Sequence, residues 1–449
     1  MLDERTDGDS WILSASPAAA SGDGYRGPVS DPGSPVRWEG EPAAERQVAE
    51  DGSRQHERSG NRPDRSGPAI EEEMPVTSPA GDAFRGLLDS LGAVAQWLDA
   101  QEMGELDRTE GFRHIAHLLA CGLDHHLESD PQRPMFTRVV GPFRKVQGEN
   151  PDAVYMWSAI DGARSYLVRG RNVGESYLSV TVHGLDPSDP NVERVIADVN
   201  FDSLEHGDDG SYEITLSSEE PPPGHHGNWL QMAPDAHTVV TRHYFERPEA
   251  AAADPDLHLE LRIEPVADPG PAPTWTEDHL VERLGAVAAF VEAKTLGMPA
   301  PEEQEPIAFV SRIPNELPRP ASFRDSGLDV LGAVDAHYSM GPFLLGSDEA
   351  LVLEGTIPAC AFANVVLWNR HMQTFEYRSH RTWRNRSSMD LGSDGSYRIV
   401  IAHRDPGVGD WLDTEGHELG IVFWRFFLAE ERPGPITCSV VPVDQLAGS

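Results

Sequence analysis

The feature that most limits what this chain can become is a set of markers that occurs twice in the same order. LGAVA stands at Leu91–Ala95 and again at Leu284–Ala288, and a glycine, Gly104 or Gly297, follows 13 residues after each leading leucine. DGSY stands at Asp209–Tyr212 and Asp394–Tyr397, and Gly170 or Gly355 lies 39 residues before each aspartate. NWL at Asn228–Leu230 answers DWL at Asp410–Leu412, and RHYF from Arg242 answers WRFF from Trp424. Each half closes on a Pro-Val pair, Pro265-Val266 and Pro442-Val443. One such match is weak, but this many in the same order imply an internal duplication. The shared residues argue architecture rather than chemistry, because Asp-Gly is a hairpin turn whose glycine tolerates positive φ.

Local patterns fill in the two units. Ser78-Pro79 is a helix start, with Pro at the first helical position. Leu87, Leu91, Val94 and Leu98 then follow at the spacing of one helical face, with Gly104 expected as the C-terminal cap. A second helix is expected over Glu110–Leu127, burying Phe112, Ile115, Leu119 and Leu123. After Pro134 the period becomes two. Leu178, Val180 and Val182 alternate with Ser179, Thr181 and His183; Tyr212, Ile214 and Leu216 form a like series, as do Leu257, Leu259, Leu261 and Ile263. Such alternation predicts antiparallel sheet with one packed side and one polar side. A Pro-rich link, Asp268–Thr274, precedes the second unit, whose helix is expected to start at the N-cap Thr276. The expected fold is mainly β with added helices (α+β): two tandem antiparallel β-sandwich or jelly-roll-like repeats, each preceded by helices. The expected divisions are a disordered tail over 1–75, a first repeat over 76–268 and a second over 269–449. The tail is rich in Gly, Pro, Ser and charge and poor in large apolar residues, so burial cannot offset its ordering entropy. Met74 offers an alternative start to Met1.

With 74 Asp and Glu against 36 Lys and Arg, the formal charge is −38. Nucleic-acid affinity comes largely from cations that displace counterions, so no nucleic-acid partner is expected. No run of about 18 apolar residues exists, so no membrane span is expected. Three well-separated cysteines, Cys121, Cys360 and Cys438, exclude a full disulfide framework and suit reduced thiols in a cytoplasmic protein.

Several constellations could carry chemistry. His403, Asp405, Asp413 and His417 place two imidazoles and two carboxylates in a Gly/Pro-rich stretch that also holds Trp411. A His with an orienting Asp can act as a general base. Two His and a carboxylate could form a facial metal triad, but the spacing fits no zincin, and no metal ligands are assigned. The competing reading is a loop whose Asp and His cap turns. Trp368, Asn369, Arg370 and His371, followed by Arg378, Arg381, Arg384 and Arg386, form a basic cluster. It would suit either an anion pocket or ion pairs with the many carboxylates. His114, His117, Cys121 and His125 share a helical face opposite the apolar stripe and are expected to be solvated rather than zinc-binding. In the first half, His225 and His226 form a short polar loop.

NPDAVYMWSAIDGARSYLVRG from Asn150, YLSVTVHG from Tyr177, DGSYEITLS from Asp209 and AHRDPGVGDWLDTEGHELGIVFWRF from Ala402 resemble a family of bacterial proteins, the domain of unknown function numbered 1214. They resemble its companion numbered 1254 more loosely. The resemblance extends over roughly residues 80 to 446, with the Ala402 stretch its most distinctive part. It implies sandwich or jelly-roll-like domains with helices and no established activity. Through it, Asn150, Asp152 and Tyr155 become candidates for facing a cleft. The functional expectation is binding or turnover of a small organic molecule, anionic molecules included, in a cleft between or within the repeats. The alternative is a non-catalytic ligand-binding or structural module. Expected ligand contacts are Asn150, Asp152, Tyr155, Trp368, Asn369, Arg381, Trp411 and Arg425. The acid–base groups would be His403, Asp405, Asp413 and His417. Cofactor, oligomeric state and enzymatic character stay open.

Overall fold

The computed structural model describes residues 78–186, 189–298, 306–326 and 333–446, and the expected tail over 1–75 lies outside them. All described residues belong to one compact unit. No helix among them is long and apolar enough to cross a membrane.

Three helices form as their caps dictate. Helix α1, Pro79–Asp99, starts where the Ser78 hydroxyl accepts the Gly81 amide. Helix α3, Glu277–Ala293, starts where Thr276 accepts the His279 amide. Between them α2 covers Glu105–Gly122 and runs on as one π turn over Leu123–Leu127. Gly104 does not close α1, which Ala100 caps; it is instead the extended residue that opens α2. The expected solvated face of α2 is a second correction. His114, Cys121 and His125 are buried, while Phe112 is exposed. His125 stacks on Trp157 with ring centroids 4.1 Å apart, and His117 Nδ1 accepts the Lys145 amide. Burial pushes His114 down to about 3 and His125 down to about 4, so both sit neutral in the interior.

Four sheets follow. In the first half a five-stranded sheet runs in the order β1 (Thr137–Arg138), β2 (Ala153–Ala159), β8 (Ala236–Tyr244), β4 (Tyr177–Asp186), β5 (Asp189–Asn200). It packs on a four-stranded sheet of β7 (Asn228–Gln231), β6 (Ser211–Ser217), β3 (Tyr166–Arg171) and β9 (Glu260–Pro265). In the second half one sheet is β10 (Ala336–Leu344), β16 (Leu419–Phe427), β12 (Phe362–Trp368), β13 (Trp383–Asn385). The other is β15 (Trp411–Asp413), β14 (Ser396–Ala402), β11 (Glu349–Thr356), β17 (Thr437–Pro442). Strand for strand, β2-β8-β4-β5 matches β10-β16-β12-β13, and β7-β6-β3-β9 matches β15-β14-β11-β17. Even the two parallel pairs, β6 with β7 and β14 with β15, coincide. The chain is therefore mainly β, with two related β-rich halves. Each half closes over its own core. Leu178, Val180, Tyr212, Ile214 and Val239 belong to the first; Val365, Tyr397, Ile399, Val422 and Trp424 belong to the second.

The repeated 39-residue spacing has a steric cause. Gly170 lies directly across from Tyr212, and Gly355 from Tyr397. Each ring lies over the bare backbone of its glycine; a Cβ on Gly355 would stand 2.6 Å from the Tyr397 hydroxyl oxygen. Gly355→Ala should therefore destabilise by about 1–3 kcal/mol through overpacking. Urea denaturation would measure this, and an unchanged midpoint would mean that the buried ring slides aside freely.

The large sheets of the two halves meet face to face around Tyr177, Tyr244, Phe362 and Phe427. Tyr177–Phe427 and Tyr244–Phe427 ring centroids are 4.4 and 4.5 Å apart. The contacts are reciprocal. Asp152, just before β2, accepts the Asn385 amide of the second half; Asp335, just before β10, accepts the Asn200 amide of the first. Phe245 N donates to Asp152 O as Leu428 N donates to Asp335 O. This is the isologous pattern of a two-fold dimer, here within one chain.

Candidate functional site

The seam buries the side of β4 that alternation assigns to solvent. Leu178, Val180 and Val182 enter the first core, so Tyr177, Ser179, Thr181 and His183 point toward the second half, and all four are buried. Register brings Arg242 and Thr238 of β8 beside Ser179 and His183, and Val240 beside Thr181. Tyr155 and Trp157 flank them from β2, and Asp198 from β5.

The matching face of the second half is filled by bulk. His183 corresponds to Trp368, Thr181 to Val366, Thr238 to Ile421 and Val240 to Phe423, while Arg242 corresponds to Arg425. In the other direction Trp157 replaces Met340, and Tyr177 and Tyr244 exceed Phe362 and Phe427 by a hydroxyl each. Accordingly Val240, on a central strand, stays partly exposed on this face, as do Tyr155, Trp157 and Asp198. This less filled, polar side of the first sheet is called the recess below. In it Arg242 Nη1 donates to Thr181 Oγ1 at 2.5 Å, and Thr181 in turn donates to the Asp198 carboxylate. Burial raises the Asp198 carboxyl above its ordinary value. Both ring nitrogens of His183 and the Ser179 hydroxyl have no hydrogen-bond partner. Burial holds His183 well below its ordinary value, with repulsion from Arg242 and His237 adding to it, so the imidazole is neutral.

The structure does not gather the expected acid–base quartet. Asp405 is exposed and accepts the Gly407 amide in its own turn. His403 lies between Thr414 Oγ1 and Leu345 O. Asp413 accepts from His380 and from the Glu415 amide. His417 turns away to α2, where Nε2 meets Glu110 at 2.9 Å while Nδ1 donates to Thr414 O. Short-range turn bonding wins over convergence here. Asp107, Glu110 and His417 do place three potential metal-ligand atoms within 4.8 Å of one another. Burial alone would depress His417, but the Glu110 hydrogen bond and charge outweigh it and raise it. The same pairing outweighs burial at Glu110 and lowers it. Both nitrogens of His417 face acceptors here, Thr414 O and the Glu110 carboxylate. Arg370 Nη1 also lies 3.5 Å from Asp107. The trio is an ion-pair network.

The basic cluster resolves likewise into ion pairs: Arg378 with Glu376, Arg384 with Asp410 and Arg386 with Glu246. Arg381 is exposed on the surface, and His225 and His226 are exposed. Trp411 donates to Ala402 O, and Asn369 to Glu110. Trp368 donates to Glu149 O. Asn150 and Asp152 are wholly buried in the seam, and only Tyr155, whose hydroxyl meets that of Tyr244 at 2.6 Å, reaches the recess. Sequence reasoning missed Ser179, Thr181, His183, Thr238 and Arg242. Their signal lay in the repeat itself: aligned through DGSY, YLSVTVH at Tyr177 faces FANVVLW at Phe362, and the polar substitutions fall on alternate positions.

Comparison with known proteins bears on this region. Residues 157–248 match the family DUF1214, described as a protein of unknown function. The DUF1214 match holds every recess residue except Tyr155, whereas the stretch from Ala402, expected to be the most distinctive, lies outside it. An uncharacterized protein from Burkholderia cenocepacia is similar at 27% identity and TM-score 0.70, over 82% of this chain and 98% of its own. The VPA0106 protein from Vibrio parahaemolyticus has 12% identity and TM-score 0.42, over 73% of this chain and 97% of its own. A Bacillus subtilis oxalate decarboxylase mutant has 7% identity and TM-score 0.17, over 72% and 79%. The last two are too distant to carry an argument. No curated protein matches.

Proposed function

We propose that the first repeat binds a small polar organic molecule in the recess over β2, β8, β4 and β5. The carrying observation is His183. A neutral imidazole offers one donor and one acceptor, and each left unmade in the interior costs about 1–3 kcal/mol. Buried polar atoms are nearly always paired, so two orphan nitrogens beside a partly open wall fit a bound partner. Ser179 and Thr238 add hydroxyls, Tyr155 and the ring side of Trp157 not stacked on His125 add flat apolar surface, and the Arg242 guanidinium, tied to Thr181, adds positive charge. Few polar groups on a largely apolar wall is the usual composition of a ligand site. Burial, with repulsion from Arg242 added to it, makes His183 a poor proton acceptor, so the arrangement suits binding more than acid–base turnover.

His183→Trp tests this by installing the residue that fills the corresponding place in the second repeat. Saturation-transfer NMR with salicylate, catechol and 4-hydroxybenzoate should show contacts to the wild type that the variant loses. Equal signals from both proteins, or none from the wild type, would overturn the reading.

A further inference from the structure

Arg425 is a buried guanidinium, 3% exposed, in a chain whose carboxylates outnumber its cations two to one. Its counterpart Arg242 reaches a carboxylate through Thr181 and Asp198. In the second repeat those two positions are Val366 and Trp383, so the relay is gone. No Asp or Glu among the described residues lies within ion-pairing distance of Arg425. Nearby Asp152 is occupied by Asn364, Trp383 and Asn385, and burial first of all raises it to about 7. Arg425 rests on Phe423 and Trp368, at 4.1 and 5.1 Å from their ring centroids, and donates Nη2 to Gly148 O at 3.2 Å. Its Nη1 has no partner.

Two further orphans lie on neighbouring residues, Asn364 across the strand from Arg425 and Asn150 hydrogen-bonded to Asn364. Asn150 Nδ2, on the segment that supplies Gly148, is a buried donor without a partner. Asn364 Oδ1, on the residue directly across from Arg425, is a buried acceptor without one. An isolated buried cation is among the costliest arrangements in a protein. Aromatic faces and one carbonyl relieve part of that cost, and a counter-anion would relieve the rest. We infer that Arg425 Nη1 and Asn150 Nδ2 hold a small monovalent anion, a carboxylate group or a halide, at the seam of the two repeats. Asn364 Oδ1 would then accept a hydrogen bond from a water that accompanies the anion. This site stands on the second repeat's sheet and does not depend on the recess in the first.

Two measurements on the full chain test it. Wild-type crystals soaked in sodium bromide should show an anomalous peak within hydrogen-bond distance of Arg425 Nη1. In solution, ¹³C-acetate should be broadened at least two-fold more by the wild type than by Arg425→Met. A response to acetate identifies an organic carboxylate as the source, and a bromide peak alone identifies an inorganic anion. No bromide peak together with equal acetate linewidths would overturn the inference. Should Arg425→Met not fold, the bromide map decides alone, and an ordered water in that place counts against the site.

Discussion

Trp368→Ala should cost about 3–5 kcal/mol in urea denaturation, the range for deleting a buried aromatic side chain. Three losses coincide. The indole is 1% exposed within the inter-repeat core, with its ring centroid 4.6 Å from that of Phe423. Its Nε1 donates to Glu149 O across the seam, so the segment leading into Asp152 loses an anchor. Arg425 loses one of its two aromatic supports. A cost below about 1 kcal/mol would mean that the second half's sheet collapses onto the vacated space, and that this face is not the rigid partner described above.

Asp152→Ala should be of similar size. The carboxylate accepts Trp383 Nε1 at 3.0 Å, Asn385 Nδ2 at 2.9 Å and Asn364 Nδ2 at 2.8 Å, all from the opposite half. Removing it strands the Trp383 indole N–H and leaves Asn364 Nδ2 and Asn385 Nδ2 only their bonds to Asn150 Oδ1 and Arg247 O; at about 1–3 kcal/mol per lost bond the total is about 3–6 kcal/mol once relaxation is allowed. The charge itself acts in the other direction. Burial outweighs these three bonds and raises the Asp152 carboxyl to about 7. A carboxyl raised on folding contributes stability that is complete below its unfolded value, about 4, and is lost as pH rises through about 7. The stability of wild type relative to Asp152→Asn should therefore grow as pH falls from 8 to 5. The comparison matters because neutral buried histidines such as His114 and His125 push the whole protein the opposite way below pH 6.5. A pH-independent gap would mean that Asp152 stays ionised in the seam.

The duplication was legible because its markers are local. DGSY is a turn that repeats bond for bond: Gly210 and Gly395 both have φ 79°, and both aspartates accept the serine amide two residues on. Caps at Ser78 and Thr276 depend on three or four neighbouring residues and were readable for the same reason. What escaped was burial between distant segments. Ser179, Thr181 and His183 form the polar side of an ordinary half-buried strand until a second sheet covers them. His114 and His125 form the polar side of a helix until Trp157 and His371 cover it. Period alone tells which residues share a side, not what lies against it. The His403–His417 stretch misled in the opposite sense, since proximity in sequence concealed that Thr414 separates His403 from His417 and that Asp405 serves only its own turn.

The reciprocal seam has one more consequence. Had the same sheets met as two separate identical subunits, any change on one would appear on the other, and a hollow could not exist without its twin. Joined in tandem, the copies are free to specialise: tryptophan makes one flank a solid buttress, and in the proposed function histidine leaves the other able to receive a guest. The covalent link thus turns a symmetric handshake into a mould and its support.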